Sequence, residues 1–357
     1  MKELRVFTEE PELEMWRMLM HYSYPSNIRK YLIGQEKHFN DELIEFISGS
    51  FLQAKEYFLS TNNTTLQTSP LLPYYGASNL LIGTISLING KMFSVAHHGM
   101  IIKYNESVDF LAEHEIHFTH PNDGAVHVYQ KYLGSNVDLC GKDNWTIKEL
   151  PGSIMELMDD FANCYGELDV NTVPLDIIKN ENGEFYKTIR KHNSNLSELI
   201  NRIEGFSDSF LRPTINNEGL MVLWRKMGSR EITYKSFSGQ PYLMAGYMKG
   251  NNLITIEPII ILYIILFALG SICRYKPQIW NPFVMNDTTG ERLIIEKLLS
   301  YAKRVFPNIV LNYTNDKEIV FLNDRYSITD RNKALNEYKI KEIIESTVRK
   351  QIDNERR

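Results

Sequence analysis

The chain has 357 residues, of which 43% are hydrophobic and 23% charged, and its formal net charge is −5. This composition is that of a folded globular protein and excludes a disordered one. The acidic balance lacks the general basic excess of proteins that coat nucleic acid, so only a local basic patch stays open.

The cysteines and the N-terminal segment both indicate a reducing compartment. Cys140, Cys164 and Cys273 are odd in number and far apart, which argues against a disulfide framework and a cysteine-rich zinc site. The first residues are charged and lack the apolar core of a secretion signal. We therefore expect a cytoplasmic protein in a bacterial-type reducing cytosol.

Helical patterns dominate residues 1–90. Residues 41–59 place apolar side chains at three- and four-residue spacing, which predicts an amphipathic helix. Pro73 begins the next predicted helix, in which Gly76 and Gly83 lie seven residues apart on one face. That spacing would let another helix approach closely, at a cost of about 1 kcal/mol per glycine.

A β-rich insert is predicted for residues 91–140. Residues 121–124, Pro-Asn-Asp-Gly, are a strong signal for the turn of a hairpin. Strand parity on that hairpin would put His114, His120 and His127 on one face, where they could bind a metal. No helical HExxH or Cys-x-x-Cys spacing supports a metal site, so we predict a polar sheet face with no metal and no cofactor.

The run IIILYIILFALGSICRYKPQIW, residues 259–280, is the most apolar stretch of the chain. Its apolar part is shorter than the roughly 20 residues that a membrane span needs. Pro258 suits the first position of a helix, and Pro277 disfavours helix at the residue before it. We predict a buried central helix and no integral membrane span.

The last part of the chain alternates strands and helices. Strand-like stretches lie within residues 219–248, and residues 290–306 form an amphipathic pattern. A hairpin is predicted for residues 308–323. Residues 331–357 are highly charged with a thin apolar stripe, which is typical either of a solvated helix or of a helix that mediates dimerisation.

These patterns predict a mainly α fold with small β inserts (α+β), in which a helical body surrounds a buried apolar helix. The chain shows no internal repeat and no long linker. The predicted organisation is one body, residues 1–305, followed by a C-terminal hairpin and charged helix, residues 306–357. Within the body we distinguish a helical part, a β-rich insert, and a helical part with β hairpins, which are residues 1–90, 91–140 and 141–305.

Three segments together resemble the YaaC family of bacterial proteins. They are QAKEYFLSTNNTTLQTSPLLPYYGASNLLIGTISL (53–87), AHHGM (96–100) followed by WTIKELPGSI, and IILYIILFALGSICRYKPQIW (260–280). The likeness extends over nearly the whole chain up to about residue 305. Because the family has no settled biochemical activity, the resemblance implies a bacterial relative without implying a reaction.

The first helices also resemble, more loosely, those of the HEPN superfamily, in which many members cut RNA. The HEPN signature is an arginine and a histidine separated by four to six residues on one helix. Here Arg17 and His21 have three residues between them, and Arg190 and His192 have one. This departure argues against HEPN-type ribonuclease activity.

Four residues are candidates for binding a ligand or nucleic acid: Tyr74, Tyr75, His98 and Arg274. His98 precedes a glycine and could present its imidazole at a loop or bulge. Arg274 ends the apolar helix, where it either serves a site or caps the helix and stacks on Trp280. The sequence identifies no catalytic residue, because the phosphate-loop, dinucleotide and nucleophile-elbow motifs are absent.

Three functions stay open. The first is a protein that acts by binding a protein partner, a second copy of itself or nucleic acid, in a bacterial defence or stress system. The second is a HEPN-like nuclease or nucleotide-acting effector that uses His98 and Arg274. The third is a membrane-associated protein anchored by residues 259–273.

Overall fold

The computed structural model describes residues 2–322 except 106–107, 109, 120–122, 135–137, 141–143, 167–169, 180–184, 190–195 and 218. The elements are mainly helical with several small sheets, which confirms the predicted α+β class. The helices are α1 Pro11–Leu19, α2 Pro25–Gly34, α3 Asp41–Ser60, α4 Leu71–Asn89, α5 Ala125–Leu133, α6 Met158–Tyr165, α7 Leu196–Asn201, α8 Phe206–Ser209, α9 Pro258–Tyr275, α10 Pro277–Asn286 and α11 Glu291–Asn315. The strands are β1 Lys2–Phe7, β2 Met100–Lys103, β3 Glu115–Phe118, β4 Trp145–Thr146, β5 Thr172–Lys179, β6 Phe185–Ile189, β7 Thr214–Ile215, β8 Met221–Leu223, β9 Tyr234–Lys235, β10 Pro241–Met244, β11 Tyr247–Lys249, β12 Asn252–Ile254 and β13 Lys317–Leu322.

Helix α9 lies in the centre of the helical body, as its sequence predicts. It begins at Pro258 and ends at Tyr275, just before the proline that begins α10, and 13 of its 18 residues are buried, including all of residues 259–270. Helices α4, α5, α10 and α11 pack around it. Because every side of α9 meets protein, the helix is apolar on every side.

Two helices, Leu71–Asn89 and Pro258–Tyr275, are long and apolar enough to cross a membrane. Of their most apolar windows, 61% and 72% are buried inside the protein. Core helices of soluble proteins share these properties, so the absence of a membrane span stays a prediction.

Two glycines of α4 set its distance from α3, as predicted. A Cβ on Gly76 would lie 2.7 Å from the Phe58 ring, and one on Gly83 would lie 2.9 Å from Cβ of Ser50. Gly90 ends α4 in the left-handed conformation, with φ +62°. The close contact with α3 holds α4 in place, and α4 carries two of the candidate site residues.

The strands form four small sheets. The largest has six antiparallel strands in the order β7-β8-β6-β5-β10-β9, and its buried side chains form a second apolar core that includes Val173, Leu175 and Leu243. Strands β2, β3 and β4 form an antiparallel sheet, and β11 pairs with β12. Strand β1 pairs in parallel with β13, which joins the N-terminal segment to the end of the described chain.

The hairpin predicted around residues 121–124 is wrong. Strand β3 precedes this segment, but residues 125–133 form helix α5. His127 therefore lies on a helix and His114 lies just before β3, while His120 lies outside the described residues. The shared histidine face predicted from strand parity does not form.

The second predicted hairpin, residues 308–323, is also wrong. Helix α11 continues through Pro307 to Asn315, and β13 is the one element that follows it before the described residues end at Leu322. The strand pairs with β1 rather than with residues 308–313. The predicted last helix, residues 331–357, lies outside the described residues, and the domain boundary at residue 305 stays a prediction.

Candidate functional site

The N-terminal part of α4 places two adjacent tyrosines in different environments. Neighbouring helix positions point in different directions, so Tyr74 enters the core while Tyr75 is half-buried. The Tyr74 ring contacts Tyr263 and Phe267 of α9, with centroid distances of 5.8 and 5.6 Å. The Tyr75 ring packs on Tyr57 of α3, at 5.6 Å.

The segment that carries His98 is held by the N-terminus of α5. The amides of Ala125 and Val126 donate to the carbonyls of residues 97 and 98, at 2.8 and 3.1 Å. Gly99 has φ +77°, a conformation that favours glycine. Gly124 packs directly on its backbone, since a Cβ on Gly124 would lie 2.3 Å from Cα of Gly99. The predicted loop at His98-Gly99 is therefore rigidly placed.

His98 contacts the buried end of Tyr74 and is otherwise exposed. Its Nδ1 lies 2.5 Å from the Tyr74 hydroxyl oxygen, and its ring packs on Phe267 at 5.2 Å. Burial of this side of the ring, with smaller effects from His97 and Arg274, lowers the pKa of His98 below 6.5. The imidazole is consequently neutral at pH 7, with Nδ1 engaged by Tyr74. Among the residues that the structure describes, Nε2 has no hydrogen-bond partner.

Arg274 lies in the last turn of α9 and is exposed. Its Nη1 donates to the Tyr75 hydroxyl, and its guanidinium lies 5.0 Å from the centre of the Tyr275 ring. The alternative in which Arg274 stacks on Trp280 is wrong. Trp280 is buried, donates from Nε1 to the Gln67 carbonyl at 3.0 Å, and packs on Phe283.

The four sequence-predicted residues therefore meet in one cluster. Tyr74 and Tyr75 are in ring contact at 5.3 Å, Tyr74 bonds with His98, and Tyr75 bonds with Arg274. We call this cluster, Tyr74, Tyr75, His98 and Arg274, the tyrosine–cation face. The role of this face as a binding site stays a prediction.

Sequence reasoning missed the residues of α9 that support this face. Tyr263 and Phe267 lie four residues apart, and Arg274 follows seven residues after Phe267, which places all three on one side of a helix. The uniformly apolar sequence hid this spacing. Counting back from Arg274 by helical periodicity would have identified Phe267 and Tyr263 as residues on the same side of the helix.

A second group of polar residues, around Cys140, is not equipped for nucleophilic chemistry. Cys140 Sγ lies 3.6 Å from Nε2 of His127, but that nitrogen also lies 3.0 Å from the Thr119 carbonyl and donates to it. Burial raises the pKa of the Cys140 thiol to about 11, so the thiol stays protonated. Within the described ranges, no three His, Cys, Asp or Glu residues could together hold a metal ion.

A cavity of about 410 Å³ opens beside the end of α9. Lys276 Nζ lies in it, 4.6 Å from the centre of the Tyr104 ring. His114 also lines it, and its Nδ1 accepts from the amide of residue 105 at 3.2 Å, which leaves the ring proton on Nε2. This concave surface therefore combines the Lys276 ammonium group with the aromatic rings of Tyr104 and Phe110.

Fold and cluster together define a mainly helical α+β protein with aromatic rings and cations at the end of its central helix. The chain belongs to the YaaC-like protein family, whose family model matches residues 20–314. No curated protein and no solved structure matched the chain. The family predicted from the three sequence segments is therefore confirmed, while the looser likeness to HEPN helices stays a prediction.

Proposed function

We propose that this protein binds a phosphate-bearing ligand, a nucleotide or a single-stranded nucleic acid, at the tyrosine–cation face. The observation that carries the proposal is the pairing of each polar head with a tyrosine of α4. The His98 imidazole is held by Tyr74 and the Arg274 guanidinium by Tyr75. Both heads are thus fixed before a ligand arrives, which lowers the entropic cost of binding.

The chemistry of these groups suits a phosphate next to a base. A guanidinium presents five N–H donors in a planar fork, which matches phosphate oxygens. The neutral imidazole of His98 adds a nitrogen that can donate or accept a hydrogen bond. Tyr275 is 61% exposed and lies beside Arg274, so its ring offers a surface on which a base can stack.

The net charge of the chain limits what kind of nucleic-acid binding is reasonable. With a formal net charge of −5, the protein has no general attraction for polyphosphate. Binding at the tyrosine–cation face would depend on a few local contacts, mainly from Arg274 and Lys276. We therefore expect a shallow dependence of affinity on salt, with a slope of about −1 to −2 on a log–log plot.

Replacing Arg274 by alanine should weaken binding at least about tenfold, because the fork that receives the phosphate is lost. The measurement is fluorescence anisotropy with labelled single-stranded RNA and DNA of about 12 nucleotides and with a fluorescent ATP analogue. Arg274→Lys keeps the positive charge but lacks the planar fork of donors, so its affinity should lie between those of wild type and Arg274→Ala. Arg17→Ala is the matched control, because Arg17 is an exposed arginine on α1, ion-paired with Glu14.

Two results would overturn the proposal. One is the absence of binding for all three probes at about 50 mM salt, where phosphate contacts are strong. The other is equal affinity of wild type and Arg274→Ala with an unchanged salt slope. Circular dichroism of each variant separates loss of the site from loss of the fold. Because Arg274 is exposed, its replacement should leave the fold intact.

A second candidate function is cleavage of a phosphate ester at the same face. The lowered pKa of His98 favours it, because a neutral imidazole can accept a proton at pH 7. Incubation of labelled RNA, DNA and ATP with wild type and His98→Ala tests the idea. Product formation by wild type that falls at least about 100-fold in His98→Ala supports catalysis. If neither protein forms product, the cleavage proposal is rejected and the binding proposal is unaffected.

The other predicted roles rest on weaker support and are proposals too. A protein partner or self-association is supported by the charged residues 331–357 with their apolar stripe. A cytoplasmic location is supported by the odd number and wide spacing of the three cysteines. A part in a bacterial defence or stress system is proposed only as a setting for the binding role. Size-exclusion chromatography with light scattering on the full chain tests self-association directly.

A further inference from the structure

A cavity of about 670 Å³ lies where the helical body meets the six-stranded sheet. Its walls come from α1, the start of α9, the middle of α11, the β9–β10 hairpin and the β1–β13 pair. A volume of this size suits a small organic molecule, and such sites are common between packed units of a protein. It is separate from the tyrosine–cation face, which lies at the opposite end of α9.

Aromatic side chains dominate this cavity. Tyr234, Tyr242, Tyr301 and Tyr313 all line it, and the rings of Tyr234 and Tyr242 are stacked at 5.7 Å. The Tyr313 hydroxyl donates to the Leu133 carbonyl at 2.7 Å. With that hydroxyl engaged elsewhere, the ring is what Tyr313 offers to a ligand. Tyrosine rings carry a negative face that attracts cations.

The charges of the lining are unequal. It contains four carboxylates and two cations. Lys235 pairs with Glu318 at 2.8 Å and with Glu3 at 3.4 Å, and Arg304 lies over the Phe237 ring. This leaves the half-buried Glu257 and the exposed Glu12 without a salt bridge among the residues that the structure describes.

Glu257 is the carboxylate on which a ligand would depend. It precedes α9, yet its side chain makes no capping hydrogen bond to that helix. Burial raises its pKa, Arg230 opposes the shift, and Glu204 adds to it, while the Tyr234 hydroxyl interacts with the carboxylate. A half-buried carboxylate in this setting gains from a bound cation, since a paired charge is far less costly than an unpaired one.

A second acceptor lines the cavity on α11. Asn308 Oδ1 is buried and, within the described part of the chain, has no hydrogen-bond partner. Its Nδ2 donates a long hydrogen bond to the Ile319 carbonyl, at 3.5 Å. A buried acceptor without a donor costs about 1–3 kcal/mol. Because Oδ1 has almost no exposed surface, the amide must turn toward the cavity before a ligand N–H can reach it.

We infer that this cavity binds an organic ammonium compound, a primary amine with an apolar or aromatic body. Its N–H donors would serve the Glu257 carboxylate, and a turn of the Asn308 amide toward the cavity would let its oxygen accept as well. The body of the ligand would lie among the tyrosine rings. An ammonium group supplies three donors and no acceptor, which fits a lining rich in acceptors. An anion of the same size would meet an excess of carboxylates.

Isothermal titration of the full chain with phenethylamine and with 3-phenylpropionate tests this inference. The two probes share an aryl body and carry opposite charges. For phenethylamine we expect a dissociation constant of about 1 mM, reasonable for a ligand this small, and at least tenfold weaker binding of the carboxylate. Glu257→Gln should weaken the amine at least tenfold. Glu12→Gln, on an exposed carboxylate at the same cavity, should change it less than twofold.

Equal binding of the two probes would overturn the inference, as would an unchanged amine affinity in Glu257→Gln. So would the absence of heat with phenethylamine at about 10 mM. If Glu257→Gln proves unfolded by circular dichroism, Asn308→Leu replaces it and should also weaken the amine. Arg274→Ala should bind phenethylamine as wild type does, so failure of one site leaves the other testable.

Discussion

Gly124→Ala should lower the free energy of unfolding by about 2–3 kcal/mol, a large effect for one methyl group. The added Cβ would lie 2.3 Å from Cα and 2.5 Å from N of Gly99. Both atoms are backbone, so no side-chain rotation can relieve the contact. The 96–100 segment must move, and His98 moves with it. Urea denaturation followed by circular dichroism measures the loss of stability.

The same variant should also weaken ligand binding at the tyrosine–cation face, since the Nδ1 contact with Tyr74 depends on the position of His98. Gly49→Ala is the matched control, because a Cβ there meets nothing within 4 Å and Gly49 lies inside α3. That change should raise stability by about 1 kcal/mol through helix propensity. A Gly124→Ala protein as stable as wild type would show that the two glycine backbones are not in contact.

The central helix and its neighbours could be predicted because local signals and burial agree. Pro258 and Pro277 mark the ends of α9 through backbone geometry alone. Gly76 and Gly83 indicate a close helix contact, and α3 makes it. At such positions the structural consequence depends only on the residue's own backbone or on one face of its helix. The sequence alone is therefore enough to predict it.

Helix α5 could not be predicted, because distant residues stabilise its start. Its sequence, AVHVYQKYL, mixes β-branched and aromatic residues that favour a strand. The first amides of α5 donate to carbonyls of residues 97 and 98, a capping arrangement that no local motif reveals. Its buried residues include Ala125, Tyr129 and Leu133, which are spaced four apart as in a helix. In a segment of nine residues, this spacing also fits the every-second-residue pattern of a strand.

The end of α11 shows tertiary packing that outweighs a local rule. A proline inside a helix costs about 3 kcal/mol, which by itself would favour an end of the helix near Pro307. Yet Phe306, Pro307, Val310 and Leu311 are all buried in the body. Burial of each large apolar side chain contributes about 1.5–3 kcal/mol, which is enough to offset the proline.

The candidate site shows the same division between what is local and what is not. Residue type and the family segments identified Tyr74, Tyr75, His98 and Arg274 as candidates. Their pairing, His98 with one tyrosine and Arg274 with the other, comes from three separate elements. Only the folded chain brings these elements together, so the sequence could name the members and not their contacts.

Glu291→Ala should lower the free energy of unfolding by about 3–5 kcal/mol. The Glu291 carboxylate is buried at the first position of α11. It accepts hydrogen bonds from the backbone amides of Leu111 and Ala112, both at 2.6 Å, and from the Tyr165 hydroxyl at 2.5 Å. Alanine would leave two buried N–H groups unpaired, at about 1–3 kcal/mol each. The midpoint and slope of a urea titration measure the change.

Glu291→Gln separates the hydrogen bonds from the charge. Its amide keeps one acceptor but turns a donor toward the other backbone N–H, so a loss smaller than that of alanine is expected. Burial raises the pKa of Glu291 above its ordinary 4.5, so the folded state binds the proton more tightly than the unfolded state. The advantage of wild type over Glu291→Gln should therefore increase as pH falls from 7 through the raised pKa, and should be complete below about 4.5. A constant or decreasing difference over that interval would mean that the carboxylate is stabilised as an anion, with its three donors outweighing burial.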